Sequence, residues 1–287
     1  MLTCKLMGGL GNQLFQIFAT ISYAIKSYVP FAFLNVETLG GGEGTTQRHT
    51  YWNSLFHKLS PFLKNSFPQL KYVNENGFQY NSFNPQFFMA NDSCLNGYFQ
   101  SYKYFQQYYN QIYSLLDIAK QKKDVLKKIE DINSLMNASF LNNTISLHFR
   151  MGDYKRIQHV HPIMTVNYYT RCLEFIKQKL PNEMFNILYF CEDEDINDVS
   201  TIIEKLSSAF PQYTFVRASN LLADWEQLLL MSCCSHNIIA NSSFSWWGAG
   251  LNSNTEKIVC YPSVWFGPNV GHNTSDLCSP KWTKIKA

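Results

Sequence analysis

From residue 145 onward, short apolar runs alternate with longer stretches of helical period. Runs at 145–150, 186–191, 213–217, 236–240 and 257–261 read as strands. Helical patterns fill 167–180, 195–208 and 222–233, and another helix opens near Ser243. This alternation predicts a parallel, doubly wound α/β sheet. At the N-terminus a strand-like run at 2–7 leads into Gly8-Gly9-Leu10-Gly11-Asn12-Gln13. A helical face follows, with Leu14, Ile17, Phe18, Ile21 and Ile25, and then a strand at 31–35. A βαβ start with a Gly-rich first turn opens many Rossmann-like domains, although this spacing is not a GxGxxG fingerprint. Residues 40–44 read as a flexible Gly-rich loop, 51–99 show little period, and 103–138 look helical. Residues 142–144 read as a connection. The pattern therefore predicts two Rossmann-like domains, 1–141 and 142–287, facing each other across a cleft.

Composition adds few constraints. Apolar residues are 46% and charged residues 16% of 287, enough for a sizeable core and against global disorder. A net charge of +3 does not support a nucleic-acid surface. The basic runs at 120–123 and 127–128 read as a solvated helix face. The eight cysteines show no CxxC spacing and several sit in apolar runs, so they read as buried thiols rather than a disulfide frame or a zinc site. No signal segment or membrane-spanning run is visible, which makes the cytoplasm the expected compartment and leaves room for peripheral membrane association.

The carboxyl ends of the strands in the second half carry the candidate chemistry, because ligands of open α/β sheets bind there. The first offers His148, Arg150 and Asp153, with Gly152 allowing a sharp turn. His148 and Arg150 share a strand face. Arg150 is a fixed charge suited to a phosphate. The second strand ends in Glu192-Asp193-Glu194-Asp195. This run could bind a metal or accept hydrogen bonds from a ligand's base or ribose; Glu192 and Asp193, closest to the strand end, are the ligand candidates, whereas Glu194 and Asp195 read as an acidic first turn that favours the next helix. No metal site is expected. The fourth strand ends in Asn241-Ser242-Ser243-Phe244-Ser245-Trp246-Trp247-Gly248, a helix start that could simply be capped or could cradle phosphate. Arg150 on the neighbouring edge tips that segment toward a diphosphate.

Four motifs occur in order: Gly8-Gly9-Leu10-Gly11-Asn12-Gln13-Leu14-Phe15-Gln16, Gly97-Tyr98-Phe99-Gln100-Ser101-Tyr102-Lys103-Tyr104-Phe105, His148-Phe149-Arg150-Met151-Gly152-Asp153-Tyr154, and 241–249. Together with Tyr261-Pro262-x-x-Trp265-Phe266, this set resembles the α-1,2-fucosyltransferase family. The resemblance implies a GT-B architecture, with an acceptor-side N-terminal domain and a GDP-fucose-binding C-terminal domain. It implies transfer of fucose from GDP-fucose to the 2-hydroxyl of a galactose-containing glycan, with inversion, no cofactor and no obligatory metal. Arg150 would grip the donor diphosphate, and Ser243, Phe244 and Ser245 would line the GDP site with Asn241 and Ser242. Asn12 would reach the cleft from the Gly-rich loop, beside Gly9 and Gly11. Asp153 and His148 are both candidates for an acceptor base, and Asp153 could instead orient Arg150. Two departures stand out: Met151 replaces the second arginine of HxRRGDY, and Cys191-Glu192-Asp193 replaces Ser-Asp-Asp.

Overall fold

The computed structural model describes residues 1–40 and 47–287, so residues 41–44 of the expected Gly-rich loop lie outside the described residues. The chain divides into two compact units, Met1–Gln121 with His272–Ser279, and Lys122–Gly271 with Pro280–Ala287. Against the expected division at 141/142, residues 122–141 belong to the second unit and 272–279 return to the first.

In the first unit, β1 (Leu2–Cys4) leads into α1 (Leu10–Lys26), followed by β2 (Phe33–Leu34), β3 (Thr38–Leu39), β4 (Arg48–His49), β5 (Leu63–Lys64), β6 (Lys71–Asn74), α2 (Pro85–Ala90), β7 (Ser93–Asn96) and α3 (Tyr109–Leu115). β1, β7 and β6 form a parallel sheet in the order β1-β7-β6, and β2 pairs in parallel with β5. Leu2 bridges Phe31 in parallel, completing the expected βαβ start. α1 begins at Leu10, four residues before its first expected apolar position, and lies almost wholly buried against phenylalanine and tyrosine rings. β6 and β7 were not legible, because Asn, Asp and Ser dilute their apolar period.

α4 (Ile118–Ile132) carries the chain from one unit into the other. Asp117, at φ 54, breaks the helical stretch expected over 103–138. The lysines of α4 do not all lie on a solvated face. Lys122 is 9% exposed and its Nζ donates to the carbonyls of Ser232 at 3.0 Å and Leu251 at 3.2 Å. Lys128 pairs with Glu226 at 2.6 Å. These bonds explain why 122–141 belong to the second unit.

There α5 (Ala138–Asn142), β8 (Thr144–His148), α6 (Val166–Lys179), β9 (Asn186–Phe190), α7 (Ile196–Ala209), β10 (Thr214–Arg217), α8 (Asp224–Met231), β11 (His236–Ile238), α9 (Ser243–Gly250), β12 (Val259–Pro262) and β13 (Thr283–Ile285) alternate as expected. The six strands are all parallel, in the order β10-β9-β8-β11-β12-β13. The order runs outward from β8 in one direction and then, from β11, in the other. This is the order of a Rossmann sheet, and its switch point lies between β8 and β11. Side-chain alternation shows both faces covered. Ile145 and Leu147 join a core with Tyr168, Tyr169, Leu173, Val199 and Leu206 from α6 and α7. On the opposite face, Asn237 donates to Ser146 Oγ at 2.7 Å and to the carbonyl of Met231 on α8 at 2.9 Å. All eight cysteines are free thiols, and six of them are buried.

Candidate active site

β8 and β11 are adjacent and in register, with Leu147 opposite Ile238, so the segments leaving their carboxyl ends emerge side by side. After β8 the chain passes Arg150 and enters a 3₁₀ turn at Gly152–Arg156. Gly152 sits at φ +34, a conformation that suits glycine. The Arg150 guanidinium pairs with Asp153 at 2.5 Å and with Glu192, and lies 5.1 Å above the ring of Tyr154. Burial works against its charge, but Glu192 and Asp153 more than offset that and raise its pKa. The Tyr154 hydroxyl donates to the carbonyl of Asn241 at 3.3 Å, tying the β8 turn to the segment after β11.

His148 ends β8 with its ring 5.5 Å from that of Phe244, in the first turn of α9. Burial, with Arg150 nearby, lowers its pKa to about 3, and Nδ1 is buried without a hydrogen-bond partner. His148 is therefore neutral near pH 7 and, as a base, no stronger than a carboxylate.

The start of α9 separates the segment 241–245 into distinct roles. Asn241 is 1% exposed, and its Nδ2 donates to the carbonyls of Pro162 at 2.9 Å and Trp265 at 3.1 Å. Ser245 is fully buried with Oγ 3.4 Å from the Ser242 carbonyl. Asn241 Nδ2 and Ser245 Oγ thus hold the loop, while Asn241 Oδ1 is buried without a hydrogen-bond partner. Ser242 is the N-cap residue, in extended conformation and without a side-chain cap bond. Ser243 and Phe244 are partly exposed and open the helix, whose N-terminal end carries a partial positive charge.

On the other side of β8, Glu192 meets Arg150 while Asp193 pairs with Arg217 at the end of β10. Burial, with Asp195, Glu194 and Asp153 around it, raises the pKa of Glu192 against the pull of Arg150. The hydrogen bond from Arg217 lowers that of Asp193. One oxygen from each of Glu192, Glu194 and Asp195 lies within 4.8 Å of the others. Arg150 and Lys155 already stand against Glu192 and Asp195, so this group has cationic partners of its own.

In the first unit the Gly-rich loop is held by glutamines of α1. Gln13 Nε2 donates to the carbonyls of Gly8 at 3.1 Å and His49 at 2.9 Å. Gln16 accepts from the Met7 amide at 3.0 Å and donates to Gly97 at 3.0 Å. Asn12 Oδ1 accepts from Gln100 Nε2 at 2.8 Å, joining the first and second motifs. Gly9 is the N-cap of α1, and a side chain there would meet nothing within 4 Å. Gly11 is buried in the first turn of that helix.

A family profile described as Glycosyl transferase family 11 matches residues 64–286. The chain belongs to glycosyl transferase family 11. It is 31% identical over 201 residues to the Escherichia coli O-antigen biosynthesis glycosyltransferase WbnK, covering 69% of this chain and 62% of that protein's length. It is 25% identical over 311 aligned positions to an E. coli alpha-1,2-colitosyltransferase, covering 98% of each. Among solved structures, a substituted Arabidopsis thaliana FUT1 in complex with GDP aligns with TM-score 0.46 and 11% identity, over 90% of this chain and 69% of that one. E. coli ADP-heptose LPS heptosyltransferase II aligns with TM-score 0.37 and 15% identity, over 58% and 43%.

Within this family 11 chain, the structure gathers His148, Arg150, Asp153, Glu192 and Phe244 around one sheet edge, while Gly9, Gly11 and Asn12 belong to the first unit, at the N-cap and in the first turn of α1. Met151, in place of the second arginine, is 5% exposed in the core beside Phe149 and Met164. Sequence reasoning missed Tyr154 as the ring beneath Arg150 and Arg217 as the partner of Asp193. The Tyr154 signal was present within the third motif, but nothing in sequence links residue 217 to residue 193. Among the described residues, no helix is long and apolar enough to cross a membrane.

Proposed function

We propose that this chain transfers L-fucose from GDP-fucose to the 2-hydroxyl of a galactose-containing glycan, inverting the anomeric centre. One observation carries this reading. Arg150 and the N-terminus of α9 leave adjacent strands at the switch point of a Rossmann sheet, joined by the His148–Phe244 and Tyr154–Asn241 contacts. A guanidinium and a helix N-terminus together suit a diphosphate. As the bond from the anomeric carbon to the diphosphate breaks, negative charge grows on GDP, and preorganised donors lower that barrier. The acceptor oxygen attacks the opposite face of the sugar, the new glycosidic bond forms as the bond to the diphosphate breaks, and the hydroxyl proton passes to water or to the departing diphosphate. Asp153, bonded to Arg150, orients the guanidinium. An oxocarbenium-like centre asks little of a base, and His148 is too buried and too weak a base to serve well.

The 1,2 linkage draws support from the colitosyltransferase relative, which aligns along nearly the full chain. The same relative favours a second reading of the donor. Colitose is fucose without its 3-hydroxyl, so GDP-colitose would use the same diphosphate grip. WbnK's role in O-antigen biosynthesis makes O-antigen oligosaccharides the acceptors to screen beside lactose.

A mass-spectrometric transfer assay tests these readings with GDP-fucose and GDP-colitose as donors. Product carrying a 2-linked fucose supports the first, and turnover with GDP-colitose alone supports the second. GDP binding without turnover on any acceptor identifies a non-catalytic module. Activity is expected to persist in EDTA, and a strict Mg²⁺ or Mn²⁺ requirement would return the Glu192, Glu194 and Asp195 group to consideration as ligands.

A further inference from the structure

We propose that Asp195, backed by Lys155, is a positioning residue that holds Arg150 in its anion-binding pose. This rests on Arg150 being the anion-binding side chain. Asp195 closes the 3₁₀ turn Asp193–Asp195 after β9 and is 1% exposed. It occupies the N-cap position of α7, where an aspartate ordinarily accepts from its own helix. Its side chain makes no such bond. Instead it reaches across to the loop after β8, where Oδ2 accepts from the Gly152 amide at 2.8 Å and Oδ1 pairs with Lys155 Nζ at 2.7 Å. Lys155 is steadied from its far side by Asp198, also at 2.7 Å.

Gly152 and Lys155 bracket two of the three residues that hold Arg150, the third being Glu192. Between them lie Asp153, which pairs with the guanidinium, and Tyr154, whose ring supports it. One buried carboxylate thus fixes the turn at two points, and the turn fixes the arginine. A charge-assisted bond from a buried carboxylate to a backbone N–H is among the stronger constraints available to a loop. A guanidinium on a flexible stem needs such a frame, because misplacing a functional group by about 1 Å can cost about a hundredfold in rate. Asp195 touches no substrate in this scheme and acts through Arg150 alone.

The test measures calorimetric binding of inorganic pyrophosphate and of GDP to wild type, Asp195→Ala, Asp195→Asn and Lys155→Met, each also with Arg150→Ala. Thermal melts establish folding. Asp195→Ala is expected to weaken both ligands about tenfold or more, on the scale seen when a supporting partner of a binding group is removed. Asp195→Asn keeps an acceptor for the Gly152 amide and should lose less. Lys155→Met should fall between wild type and Asp195→Ala. In the Arg150→Ala background, Asp195→Ala should cost nothing further. A purely structural role would lower the melting temperature and leave ligand affinity in the folded protein unchanged, and that result overturns the proposal. An equal loss in the Arg150→Ala background overturns it as well. Should Asp195→Ala fail to fold, the same cycle built on Asp195→Asn decides between the two roles. If wild type binds pyrophosphate but not GDP, the donor assignment fails, and the positioning role is still decided on pyrophosphate. If wild type binds neither, both readings are overturned.

Discussion

The ring of His148 lies 5.5 Å from the ring of Phe244, tilted by 36°. This contact joins the end of β8 to the first turn of α9 and brings the Arg150 loop beside a helix N-terminus. If these two elements form one diphosphate grip, removing the guanidinium should remove the transition-state stabilisation it supplies. Arg150→Ala is expected to lower transfer by at least about a hundredfold, in line with the roughly 3 kcal/mol typical of a lost donor at such a site. Circular dichroism and melting should show a folded protein, since the side chain joins no hydrophobic core. Near-wild-type turnover would refute the assignment.

Glu192 stands against the guanidinium that the proposed diphosphate grip would use. Two carboxylates, Asp153 and Glu192, share one guanidinium, so a diphosphate at Arg150 would meet the charge of Glu192. Glu192→Gln removes that negative charge while keeping the shape. GDP affinity in this variant, measured by calorimetry, should rise about threefold to tenfold, equivalent to roughly 0.7–1.4 kcal/mol. Weaker binding would mean that Glu192 holds the nucleotide rather than opposing it.

Two glycines separate backbone need from open space. Gly152 has φ +34, and a Cβ there would stand 2.6 Å from Glu192 Oε2. Gly152→Ala should destabilise the loop by about 1–2 kcal/mol, the cost of a left-handed residue, and reduce transfer accordingly. Gly9 has φ −77 and open space around a built Cβ. Gly9→Ala should leave the melting temperature unchanged. A loss of transfer in that otherwise stable variant would show that Gly9 lies against a substrate.

Acid should unfold this protein through buried neutral histidines. Burial lowers His148 to about 3, with help from Arg150, and lowers His236 to about 4. Both start from an ordinary value of 6.5, so between pH 6.5 and about 4 the unfolded chain binds more protons than the folded one. Stability therefore falls as pH falls through that window. His236 Nδ1 accepts from the Ile258 amide at 3.0 Å, a bond only the neutral ring can accept. His236→Asn can retain an acceptor without a titrating group, and its melting temperature should decline less between pH 7 and pH 4.5. An identical decline in both proteins would count against this account.

The alternating pattern after residue 145 determined the second unit. Expected and observed strands differ by one or two residues at their ends because each apolar run is short and bounded by polar loops. β13 escaped notice because Thr283–Ile285 is too brief, and carries Lys284, to show a period. Arg150, Ser243 and Phe244 were legible because residues after strand ends in such a sheet must gather on one edge. Tertiary structure alone decided three further matters. Strand order set which ends are neighbours, since hydrogen bonding between β8 and β11 joins residues some ninety positions apart. Burial decided that Lys122, which reads as a solvent-facing lysine, caps carbonyls inside the second unit. Direction decided that Asp195, which reads as a helix-favouring acid, turns away from its helix to grip Gly152 and Lys155. Local sequence carries period and propensity, but the partner of a polar side chain is fixed only when distant segments are packed together.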